Sequence, residues 1–150
     1  MKTVKQKIGS ISCLCLLCLA IAVTACKTTT SDVLPSSTLP ANYDNQGTLI
    51  VKSNTLHICI WDWSVVDGDV IDLLVNGKTL LSKYELTADH KCLDVKLPDG
   101  ESWIGIIAIS EGSLGAASPH VELSDGVSTQ AFDILGYISK PGGYKIKVQK

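Results

Sequence analysis

From residue 48 onward, apolar and polar residues alternate in short runs, and no stretch sustains the 3.6-residue period of an amphipathic helix. The runs at 48–52, 56–62, 69–76, 78–84, 91–97, 102–110, 120–124, 128–135 and 144–148 are rich in Val, Ile, Leu, Thr and aromatic residues, with turn residues between them. Each predicts a β-strand. Asn76-Gly77, set between Leu73-Leu74-Val75 and Leu80-Leu81, predicts a hairpin, because both residues accept the positive φ of a type I′ turn. Pro98-Asp99-Gly100 and Asp125-Gly126 punctuate the chain in the same way.

Eight or nine short strands without helices predict an all-β, two-sheet sandwich of immunoglobulin-like type over residues 48–150, with a small closed barrel as the alternative. Leu93, Val95 and Leu97 alternate with Asp94 and Lys96, giving one dry and one wet face. Likewise Ile58 and Ile60 share one face of their strand, and Cys59, Trp61 and Trp63 share the other. Trp103, beside Ile104 and Ile106, is expected in the core.

The N-terminal pattern is different. Lys2, Lys5 and Lys7 precede a mostly apolar segment, 8–25, in the layout of a secretory signal peptide. A membrane-spanning helix needs about 20 mostly apolar residues; this segment is shorter and is broken by Gly9, Ser10, Ser12 and Thr24. Its last residues, Val23-Thr24-Ala25-Cys26, resemble the lipobox of bacterial lipoprotein precursors. That resemblance implies cleavage after residue 25, a diacylglyceryl thioether on Cys26 and a fatty amide on the new N-terminus. Two or more acyl chains anchor a protein stably where one does so only marginally. Lys27, rather than Asp, follows the cysteine, which by the same resemblance implies the outer membrane, with the domain facing the periplasm. Residues 26–47, rich in Thr, Ser, Pro and Asn, read as the lipidated cysteine and a flexible tether, of about 25 Å root-mean-square span.

Removing the leader changes the charge and cysteine counts. All thirteen basic residues are lysines, and three leave with the leader, so ten face fifteen acidic residues and the net charge is −5. With no arginine and no basic run, nucleic-acid binding is disfavoured. Three of the six cysteines also leave and Cys26 carries lipid, so Cys59 and Cys92 remain to form a disulfide in an oxidising compartment. By the strand alternation both fall away from the apolar rows, so the bridge is expected on the outer face of one sheet, unlike the inter-sheet bridge of antibody domains. It is worth about 3–4 kcal/mol in the chain-entropy model.

Two features carry candidate chemistry. Asp62, Asp67, Asp69 and Asp72 put four carboxylates into eleven residues around Gly68, a candidate calcium site, although the spacing is not that of an EF-hand and such carboxylates also serve as turn formers. Trp61 and Trp63, at i and i+2, would project from one strand face about 7 Å apart, suited to stacking on a glycan or gripping a protein, or else to covering the disulfide. His57, His90 and His120 are scattered without a zinc-ligand spacing. Gly112-Ser113-Leu114-Gly115 is not a nucleophile elbow, and no enzyme is expected.

The pattern Asp62-x4-Asp67-Gly68-Asp69 followed by Asn76-Gly77 resembles small secreted or lipoprotein β-sandwich domains, a largely uncharacterised family. The likeness extends through Ala108-Ile109-Ser110-Glu111-Gly112 and Ser124-Asp125-Gly126, and departs at Ala116-Ala117-Ser118-Pro119-His120, where those domains often carry Pro-Pro-Asn-Thr. It implies a fold and supplies no reaction. The expected role is therefore a lipid-anchored, non-catalytic binding or accessory module of the cell envelope, its partner an envelope protein or a glycan.

Overall fold

The computed structural model describes residues 31, 32 and 37–149. The leader at 1–25, Cys26 and most of the tether lie outside these residues. Ten strands follow in order: β1 (Ser31–Asp32), β2 (Asp44–Val51), β3 (Thr55–Trp61), β4 (Asp69–Val75), β5 (Lys78–Glu85), β6 (Lys91–Lys96), β7 (Glu101–Glu111), β8 (His120–Ser124), β9 (Thr129–Asp133) and β10 (Gly142–Val148). They form two sheets, ordered β1-β6-β3-β8-β9 and β2-β10-β7-β4-β5. The β1–β6 and β2–β10 pairs are parallel and the others antiparallel. The two-sheet β-sandwich expected from the strand pattern is present.

Alternation decides what each strand buries. Leu56, Ile58 and Ile60 of β3, Val95 of β6, and Val121 and Leu123 of β8 turn inward from the first sheet. They meet Ile71, Leu73 and Val75 of β4, Ile104, Ile106 and Ala108 of β7, and Ile146 of β10 from the second. Each fully buried Leu or Ile contributes about 1.5–3 kcal/mol relative to an exposed one. The β4–β5 hairpin turns at Asn76 (φ 50°) and Gly77 (φ 82°), the doubly positive pair that a type I′ turn requires.

The fold begins earlier than residue 48. β2 starts at Asp44, and Leu39 and Tyr43 pack on Trp103 with Leu74 in a second, smaller cluster. Trp103 is buried, but on the opposite side of β7 from Ile104 and Ile106. Odd and even positions of a strand face opposite ways, and the N-terminal part of β7 is buried on both faces around Trp103 and Ile104. The last part of the segment read as tether is thus the lid over the outer face of the second sheet. Gly105 admits it, since a Cβ there would stand 2.8 Å from the Tyr43 ring and 2.8 Å from the Gly142 carbonyl oxygen.

Candidate functional site

The register of the first sheet builds an outer face from residues distant in sequence. Cys59 of β3 is paired with Cys92 of β6, and the two form a disulfide with Cα atoms 4.0 Å apart. The bridge lies across the outer face of one sheet because both cysteines alternate with core residues. Two residues along β3, on the same face, Trp61 is opposite His120 of β8, which is itself opposite Asp133 of β9. His90 immediately precedes β6, whose Lys91 is opposite Ile60. A row of His90, Trp61, His120 and Asp133 therefore crosses the sheet.

The row is bonded throughout. The Trp61 and His90 rings stack with centroids 3.8 Å apart and planes 12° from parallel. The Trp61 ring meets His120 edge-on at 4.8 Å, and His120 Nδ1 pairs with Asp133 Oδ1 at 2.6 Å. Trp63 is not a strand residue, because β3 ends at Trp61. It stands in the β3–β4 loop, its ring 5.6 Å from His120, and is 62% exposed. The expected pair of indoles projecting from one strand face is replaced by one indole held between imidazoles and one presented to solvent. His90 and His120 carry no signal in their spacing; only strand pairing brings them to Trp61. On the far side of the disulfide, His57 Nδ1 pairs with Asp94 Oδ1 at 2.7 Å, and its Nε2 lies 3.4 Å from Cys59 Sγ. That sulfur is locked in the disulfide, so this imidazole has no thiol to activate.

The carboxylate cluster divides. Asp62 just after β3, Asp67 in the β3–β4 loop and Asp69 at the start of β4 each offer an oxygen within 4.8 Å of the others. They line a hollow of about 180 Å³ together with Ser64, Val65, Leu114, Ala116 and Ser118. Asp67 Oδ2 accepts from the amides of Ser113 (2.8 Å) and Leu114 (2.7 Å), which ties the β3–β4 loop to the turn after β7. Gly112 permits this, with φ 58° and the Asp67 carboxylate where a Cβ would project. Asp62 Oδ1 accepts from the Ser64 amide at 3.1 Å, and Asp69 Oδ2 from the Ser118 amide at 3.3 Å. Burial pushes the Asp69 carboxyl above the usual carboxylate range, and the charges of Asp67, Asp62 and Glu111 add to the rise.

Asp72 does not join them. An odd step along β4 puts it on the other face from Asp69, where its Oδ1 accepts the Lys83 amide at 2.6 Å and supports a bend in β5. The alternation that predicted the strand already separated these two residues.

Compared with known proteins, the chain matches no family model, and neither the curated proteins nor the solved structures include a significant match.

Proposed function

We propose that this chain is a lipid-anchored, non-catalytic binding module of the bacterial cell envelope that docks an envelope protein through the outer face of its first sheet, with Trp63 as the anchor. The observation that carries the reading is the exposure of Trp63, 62%, beside a row of side chains fixed by a disulfide, a ring stack and a His–Asp pair. Binding hot spots are enriched in Trp and sit on surfaces that need little reordering. The lipobox-like Val23-Thr24-Ala25-Cys26 supports the anchor, and Lys27 supports the outer membrane with the domain in the periplasm.

The glycan reading, on Trp61 and Trp63 together, is the weaker of the two. His90 already stacks on one face of the Trp61 indole, so a sugar would find one open platform rather than two. Crosslinking in intact cells, followed by purification and mass spectrometry, tests the choice. An envelope protein recovered in stoichiometric amount with the wild type and lost with Trp63→Ala is the expected result. Equal recovery with both chains overturns the docking reading, and recovery of polysaccharide fragments without protein replaces it with the glycan one.

A further inference from the structure

We propose that Asp62, Asp67 and Asp69 form a calcium-binding site at the end of the sandwich where β3 passes to β4. Such a site requires no role for Trp63.

The first support is geometry. Calcium takes six to eight oxygens at about 2.3–2.6 Å, so ligands on opposite sides of one ion are about 5 Å apart. The three carboxylate oxygens, all within 4.8 Å of one another, meet that limit. Each carboxylate accepts its backbone amides through one oxygen, Asp62 Oδ1, Asp67 Oδ2 and Asp69 Oδ2, and so is oriented while its second oxygen stays available. The hollow they line leaves room for an ion with several waters.

The second support is an orphan. Asp69 is 5% exposed, and its Oδ1 is buried without a hydrogen-bond donor. An unsatisfied buried acceptor is rare and costly in a native fold, all the more so on a charged group. Lys140 and Lys147 hold Asp44 and Glu101 instead of this cluster. A divalent cation would supply both the missing partner and the missing positive charge.

The donors select the ion. An all-oxygen carboxylate set suits hard cations rather than zinc or copper. Magnesium demands a near-ideal octahedron, whereas three carboxylates from a loop and the strand it leads into fit calcium's variable shell better.

The test uses the full chain purified in detergent, stripped with chelator and then titrated with calcium chloride or magnesium chloride, with calorimetry and thermal melting as readouts. The expected result is saturable binding of one calcium and a melting temperature raised by roughly 10 °C at a hundredfold excess over Kd. Asp69→Asn should weaken binding at least about tenfold, yet melt no lower than the wild type in chelator, because it removes a buried charge. Asp62→Asn, whose carboxylate bonds only within its own loop in the contacts described above, should also weaken binding and provides a second reading should Asp69→Asn misfold. No calcium heat and no shift in the wild type would overturn the site. Undiminished binding by both variants would overturn the ligand assignment, and an equal response to magnesium would overturn the choice of ion.

Discussion

At the scale of single residues, Asn76 shows how one side chain secures a turn and its surroundings at once. Its positive φ makes the hairpin, its Oδ1 accepts the Trp103 amide at 2.9 Å, and its Nδ2 donates to Ser102 Oγ at 3.0 Å in a fully buried setting. Asn76→Ala removes the acceptor of the Trp103 amide and the donor to the Ser102 hydroxyl, both buried, and puts a residue without a polar side chain at a positive φ. The expected loss is about 2–4 kcal/mol, read from urea denaturation midpoints. Asp125 acts through charge. It accepts from the backbone amides of Lys52, Ser128 and Val127, which hold its carboxyl down to about 2 from 3.8. A depressed acid stabilises the fold above its unfolded value, and that contribution disappears as pH falls through the folded value. The stability gap between wild type and Asp125→Ala should therefore be full above pH 4 and close between pH 4 and 2; a gap independent of pH would contradict this. The Asp125-Gly126 turn was legible in the sequence, but the bond to Lys52, 73 residues away, was not. Local turn chemistry is written in neighbouring residues, whereas a distant donor is placed by packing.

Among the elements, the strands were the most legible. All nine runs read from alternation correspond to strands, β2 through β10, with the 120–124 run matching β8 end for end. Strand period and turn residues are local properties, so a sequence displays them directly. What alternation could not say is what covers the outer face of the second sheet. Residues 37–43 look like spacer because Thr, Ser, Pro and Asn dominate the segment that contains them, yet Leu39 and Tyr43 close over Trp103, the two rings 5.2 Å apart. A chain starting at residue 48 loses that cover and half of β2. Its tryptophan emission should shift to the red, and its stability should fall by about 2–4 kcal/mol relative to a chain starting at 37. Equal emission and equal denaturation midpoints would show that the segment adds nothing.

For the whole molecule, the proposed anchor and the folded domain are separable by experiment. Cys26→Ser should move the protein from the membrane fraction to the soluble fraction without changing the thermal melting of the domain; retention in the membrane would count against the lipid. Residue type, period and the count of available thiols were enough for the all-β class, the Asn76-Gly77 hairpin and the outer-face disulfide. The sequence also marked Asp62, Asp67 and Asp69 as a cluster, since they are close along the chain. It took the folded chain to bring His90 and His120 to either side of Trp61 and to bury Asp69 Oδ1 without a donor. Those outcomes depend on strand register and on loops meeting across the fold, and such long-range pairings are fixed by how two sheets share one core rather than by any local stretch of residues.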